Sequence, residues 1–244
     1  MANNYRFRSS GYSWANYFPF AVKWLLISNT GIFVFCFLFP SRIIFQWFAL
    51  SPEMVLKQAA IWQLVTYMFL HGGIGHILFN MLTLWMFGMD LERDWGTKSF
   101  LKYYFLCGIG AGICDVLVNA LTGNFNTHTI GSSGAIYGLL LAFGVLYPDR
   151  IVLMSFLFPI KAKYFVMIMG AIAFLNSVGS AGNGVSNVAH LGGMLFGYAY
   201  LRMRFVRVDT GKLIQRYQTW KMERAKKKFQ VYMRKQGRGG PWVN

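Results

Sequence analysis

The chain has 244 residues, 55% hydrophobic and 18% aromatic, and only 13% are charged, about half the charged fraction of an ordinary soluble domain. Its apolar residues fall in long runs without alternation, which argues against a soluble fold and for helices in a bilayer. A net charge of +16 would suggest nucleic acid as partner of a soluble protein, but its placement along this chain indicates a membrane orientation instead.

Residues 1–19 are polar and basic and form the predicted cytoplasmic N-terminus. The first apolar run, Phe20–Phe39, has no small-residue cleavage site after it, so it reads as a retained signal anchor rather than a cleaved leader. Further spans are predicted at Ile74–Met89, Phe100–Leu121, Ser133–Tyr147, Tyr164–Val178 and Val188–Leu201. Of the 24 Lys and Arg residues, only Arg42 and Lys57 fall on one side of these spans. The positive-inside rule then gives six crossings with both termini in the cytoplasm. The three cysteines suggest no disulfide framework: Cys107 and Cys114 lie about 10 Å apart along one helix, too far for a bridge. They read as buried apolar thiols.

Between the first two spans, Pro40–His71 carries Phe45, Trp47, Phe48 and Trp62 and few charges. Such rings favour the headgroup boundary, so this external segment is expected on or partly in the outer leaflet. The other external loops, Thr122–Ser132 and Gly179–Asn187, are short and glycine-rich. Absence of an internal repeat counts against a transporter built from inverted halves. Residues 20–204 form the predicted six-helix domain and 205–244 a basic tail. Arg202–Asn244 holds thirteen Lys/Arg against Asp209 and Glu223, with Tyr217, Trp220, Phe229 and Tyr232 interleaved. A solvated basic helix, a helix bound to anionic lipid, and nucleic-acid binding are the readings open to it, in that order.

Polar groups inside spans are costly, and four ask for a reason: His76, Asn80, Ser133 and His190. Counted from the cytoplasmic helix ends at ~1.5 Å per residue, they lie roughly 21, 15, 24 and 18 Å deep, within one layer. The fourth span is too short to cross a core about 30 Å thick, which predicts a water-filled dip above Ser133. Ser133 stands in Gly131-Ser132-Ser133-Gly134-Ala135-Ile136-Tyr137-Gly138. A serine there could simply cap its helix. The same geometry also offers free N–H groups and a helix dipole to an oxyanion, while Gly131 and Gly134 allow close approach. The base would be His190. Ala189, Gly193 and Gly197 match Gly134, Gly138 and Ala142 in four-residue spacing, a stripe that permits tight helix contact and hence a Ser–His hydrogen bond.

From Trp62 to Leu201 the chain resembles the rhomboid family of intramembrane serine proteases. The resemblance rests on Trp62-Gln63-Leu64-Val65-Thr66, His71-Gly72-Gly73, Gly75-His76-Ile77-Leu78-Phe79-Asn80, Gly131-Ser132-Ser133-Gly134 and Ala189-His190-Leu191-Gly192-Gly193. It implies an all-α, six-helix rhomboid-like bundle in which Ser133 is the nucleophile and His190 the base. It further implies that His76, Asn80 and the Ser132 and Ser133 N–H groups form the oxyanion hole. Tyr137 matches the ring that packs on the base, and Glu92 the family's structural acid. Gln63 and Asp94 depart from the family, each standing where some members have arginine; both bear on packing and gating.

His76 and Asn80 could instead merely bond across helices. A zinc site from His71, His76, His128 and His190 has no HExxH or CxxC spacing behind it, so no metal or other cofactor is expected. Asp115 reads as a buried acid bonded to a neighbour or as a cavity residue tuning substrate choice. The expected activity is cleavage of single-span or polytopic membrane proteins in the bilayer, with no nucleic-acid partner. The alternative is a non-catalytic rhomboid-like protein that binds and routes membrane clients. Lacking a targeting peptide, the chain is expected in a bacterial inner membrane.

Overall fold

The computed structural model describes residues 18–154, 158–179, 186–205 and 222. The N-terminus before Phe18, predicted to be cytoplasmic, most of the last predicted external loop and nearly all of the basic tail lie outside the described residues. Helix α1, Phe20–Leu38, starts directly after Pro19. Two short helices follow in the segment predicted to be external, α2 at Arg42–Phe48 and α3 at Pro52–Lys57. Proline at the first position of α3 is pre-set for a helical start and forfeits no bonded N–H. Glu53 and Lys57, one turn apart, pair at 3.1 Å. A single turn, α4 at Gln63–Thr66, runs into a 3-10 turn at Tyr67–Phe69.

Helix α5, Ile74–Trp95, and α6, Thr97–Leu121, are separated only by Gly96, whose φ of +77° makes the reversal. Helix α7 is Ser133–Leu146, α8 Ala162–Gly179 and α9 Asn187–Phe205. Among the described residues α1, α5 and α6 are long and apolar enough to cross a membrane, and Ser133–Leu146 and Ala162–Ser177 are shorter apolar helices. Trp24, Ile27, Phe35 and Leu38 of α1 and Met167, Phe174 and Leu175 of α8 remain exposed. Apolar belts of this kind suit lipid as solvent.

Each predicted span lies on a helix, but α6 starts three residues before Phe100, α9 runs four past Leu201 and α5 is extended further still. Helix α5 continues six residues past Met89, because its charged end is paired rather than broken: Asp90 meets Arg150 at 2.8 Å. The expectation of an all-α chain needs correction. Between α7 and α8, β1 (Ile151–Met154) and β2 (Phe158–Lys161) form an antiparallel pair with Val152 opposite Ile160. Ile151 and Leu153 are exposed while Val152 packs with Phe87, Phe143 and Val166. That period-two pattern is a strand's, and it was hidden among the basic residues of a loop.

The core joins Tyr67, Met68, Leu84, Phe100, Tyr103, Tyr104, Cys107 and Leu139. Tyr67 Oη donates to the Gly108 carbonyl at 2.6 Å and Tyr103 Oη to Gly138 at 2.7 Å, so α6 is bonded both to the external segment and to α7. Cys107 is buried, but Cys36 and Cys114 are only half-buried, and all three are free thiols.

Candidate active site

The segment before α7 makes a sharp turn at Gly131, whose φ of +110° is a conformation L side chains rarely adopt. Space imposes the same choice, since a Cβ there would meet His76 Nε2 at 2.6 Å. Gly131 N–H donates to the Tyr67 carbonyl at 2.9 Å. Ser132 stands at the N-cap position of α7 without a side-chain cap bond, and its carbonyl accepts the Ile136 N–H at 3.0 Å. Ser133 therefore occupies the first helical position, where backbone N–H groups have no intrahelical acceptor.

His190 lies in the first turn of α9, its N–H donating to Ser186 O at 3.3 Å. Its Nε2 stands 2.8 Å from Ser133 Oγ. The Tyr137 ring, one turn below Ser133, stacks on the imidazole at 4.1 Å with 5° between planes. His190 Nδ1 is buried with no partner among the described residues. For Nε2 to accept the serine proton, Nδ1 must carry the ring hydrogen. Ser132, the alternative serine, is fully buried and its Oγ is unpartnered. Geometry thus separates the two adjacent serines: only Ser133 reaches the imidazole.

Close approach of α7 and α9 follows from missing side chains. A Cβ at Gly134 or Gly138 would first meet Ala111 or Cys107 of α6, at 2.4 and 2.5 Å, and then Ala189 O at 3.3 Å or Gly193 O at 3.2 Å on α9, while one at Gly193 would collide with the Gly134 carbonyl. At Gly197 a Cβ would first meet the Tyr103 hydroxyl and Cys107 Sγ, so this residue faces α6, where matching with Ala142 had been expected.

His76 and Asn80, one turn apart on α5, aim at the backbone that leads into Ser133. Asn80 Nδ2 is a buried donor without a partner, and it would lie 3.6 Å from a Cβ at Gly131. His76 Nδ1 accepts weakly from Gly72 N–H at 3.5 Å, which leaves Nε2–H as the donor beside Gly131. Behind it, the His71 ring meets His76 edge-on at 5.1 Å. Among the described residues no group of three His, Cys, Asp or Glu could hold a metal ion.

Three polar residues that the family resemblance singled out, Gln63, Glu92 and Asp94, bond partners far along the chain. Gln63 is fully buried, accepts the Ser51 N–H at 3.0 Å and donates to the Gln46 and Trp47 carbonyls at 3.2 Å, holding the external helices together. Glu92 accepts the Ala21 and Val22 N–H groups, both at 2.8 Å, and so caps α1 from a residue about seventy positions away. Asp94 takes a short hydrogen bond from Tyr147 Oη. Trp47 and Trp62 stack at 6.2 Å, and the Trp62 indole N–H bonds Trp47 O at 2.9 Å.

Apolar helices packed around a half-buried Ser133 and a buried His190 define a helical membrane protein. The Rhomboid domain profile matches residues 58–207, more than half of the chain, and the chain belongs to the rhomboid family. It is 37% identical over 166 residues to Rhomboid-like protease 5 of Toxoplasma gondii, covering 63% of this chain and 18% of that one. With Rhomboid protease GluP of Bacillus subtilis (strain 168) it shares 32% over 151 residues, 62% of this chain and 27% of the relative. With RHOMBOID-like protein 12, mitochondrial, of Arabidopsis thaliana it shares 29% over 185 residues, 69% and 54%. In each case the matched stretch spans less than two thirds of the relative's own length.

Proposed function

We propose that the protein is an intramembrane serine endopeptidase that cleaves transmembrane segments of membrane proteins with a Ser133–His190 dyad. The observation that carries this is the 2.8 Å contact between His190 Nε2 and Ser133 Oγ under a stacked Tyr137 ring. His190 takes the Ser133 proton as Oγ attacks the scissile carbonyl carbon. The oxyanion that forms is stabilised by the N–H groups at the start of α7 and by the side-chain donors of His76 and Asn80. His190 then gives the proton to the leaving amine, leaving an acyl-enzyme. Water, deprotonated by the same imidazole, attacks the ester and regenerates Ser133.

The proposed topology is a six-span domain over residues 20–204 with both termini cytoplasmic, supported by the one-sided Lys/Arg distribution. Helix α7, with only 14 residues, leaves room for water above Ser133, and its substrates would enter from the bilayer. The basic tail, 205–244, is proposed to rest on anionic lipid. A cell membrane of the bacterial inner-membrane kind is the proposed location.

An activity-based fluorophosphonate tests the reading directly. The purified chain should be labelled and should cut a single-span substrate, and Ser133→Ala should abolish both. Ser132→Ala should keep most of the activity, because alanine retains the backbone N–H. Labelling lost with Ser132→Ala but kept with Ser133→Ala would move the nucleophile by one position. A folded, unmutated chain that neither labels nor cleaves would favour the client-binding alternative.

A further inference from the structure

Asp115 lies in the outer half of α6, only 1% exposed, and three donors converge on its carboxylate. Asn119 Nδ2, one turn on in the same helix, reaches Oδ1 at 3.1 Å, Thr129 Oγ1 reaches Oδ2 at 2.9 Å, and Ser186 Oγ makes a short contact with Oδ1. The second and third belong to separate segments. Thr129 stands four residues before Ser133, and Ser186 stands four residues before His190.

Both connections are held at other points as well. Thr129 exchanges backbone bonds with Leu50, each 2.9 Å, and Gly131 N–H is bonded to Tyr67 O at 2.9 Å. Ser186 precedes α9 and caps it: its Oγ accepts the Ala189 N–H at 3.1 Å and its carbonyl accepts the His190 N–H at 3.3 Å. The Ser186 hydroxyl therefore gives its proton to Asp115 while holding the first turn of the helix that carries His190.

Helices α7 and α9 touch through Gly134, Gly138, Ala189 and Gly193. Glycine surfaces allow close approach but have no interlocking side chains to stop one helix from sliding or turning on the other. Polar ties have to set that register. We propose that Asp115 is a positioning residue whose carboxylate holds the segments leading to Ser133 and to His190 at one separation. This rests on the reading of that pair as the catalytic dyad. The carboxylate has about four lone-pair sites, enough for all three donors. A displacement near 1 Å between reacting groups costs on the order of 10²-fold in rate, so partial loosening is enough to matter.

The test measures kcat, KM and thermal midpoint of the full chain in detergent, with fluorophosphonate labelling alongside. Asp115→Ala should lower kcat about tenfold or more and leave KM within roughly twofold. Asp115→Asn should recover most of the loss, because its amide can accept from one hydroxyl and donate to the other. Thr129→Val should lower kcat too, and combined with Asp115→Ala should add little, since the Thr129 hydroxyl bond goes to Asp115 and both changes cut that one tie. Unmutated kcat in folded Asp115→Ala, strictly additive losses, or a change in KM alone would each overturn the proposal. If Asp115→Ala does not fold, unmutated kcat in both Ser186→Ala and Thr129→Val would overturn it equally. An unmutated chain that neither labels nor cleaves would sink the dyad reading, and this inference with it. Intact labelling and cleavage with an inert Asp115 would sink the positioning role alone.

Discussion

The rings of Tyr137 and His190 are stacked 4.1 Å apart and within 5° of parallel. The contact fixes the plane of the imidazole, so Nε2 stays aimed at Ser133 Oγ while Nδ1 has no hydrogen-bond partner among the described residues to hold it. Orientation of a base is ordinarily shared with a third polar group; in the proposed dyad a ring face takes that place. Tyr137→Phe keeps the face and should keep most of the turnover. Tyr137→Ala should lower kcat about tenfold with little change in KM. Steady-state cleavage of a single-span substrate separates the two, and equal activity in both variants would show that stacking is not needed.

Asn80 and His76 provide a second prediction. A single oxyanion donor is worth about 10²–10³ in rate, so Asn80→Ala and His76→Ala should lower kcat by that order in folded protein. Gly131→Ala should be as damaging without removing any donor. Its Cβ would need a φ of +110° and would press His76 Nε2 at 2.6 Å. Full activity in Gly131→Ala would mean that this turn tolerates displacement and does not position the site.

Glu92 concerns stability rather than chemistry. Glu92→Ala would strand the Ala21 and Val22 N–H groups and the Thr97 hydroxyl, which donates at 2.6 Å. An unsatisfied buried donor costs about 1–3 kcal/mol, so the thermal midpoint in detergent should fall markedly, and Glu92→Gln should fall less. Cleavage per folded molecule should not change. A loss of turnover without a loss of stability would move Glu92 from scaffold to site.

His71 sits in the turn before α5, buried, with both ring nitrogens unpartnered among the described residues. Burial first, and then the neighbouring His76, pushes its pKa down from 6.5 to about 4. Between those values the unfolded chain binds a proton that the folded chain refuses, so stability is full above pH 6.5 and is lost on acidification toward pH 4. Its share at pH 5.5 is about 1 kcal/mol. Melting curves of the unmutated chain and of His71→Leu, followed from pH 7.5 to about 5.5, should differ in slope, the variant being flatter. Parallel curves would show that His71 is solvated or paired when folded.

Much of this protein was legible before folding. Spans follow from apolar run length, and the five motifs mark Ser133, His190, His76 and Asn80 because polar groups and glycines are costly in a membrane helix unless used. What the sequence alone could not decide was which atoms meet. Ser132 and Ser133 have nearly the same local context, and only the α9 backbone passing Gly134 brings the imidazole to the second. The strand pair at Ile151–Lys161 lies between two predicted spans and was not expected, since four residues alternating once are too few to show a period. Gln63, Glu92 and Asp115 could be singled out along the chain, but not the groups they bond. Apart from Asn119 and Thr97, their partners lie between 12 and 71 positions away. A helix announces itself by a repeat every few residues. A hydrogen bond between distant segments leaves no such repeat, and only the tertiary structure, by bringing donor to acceptor, decides that it exists.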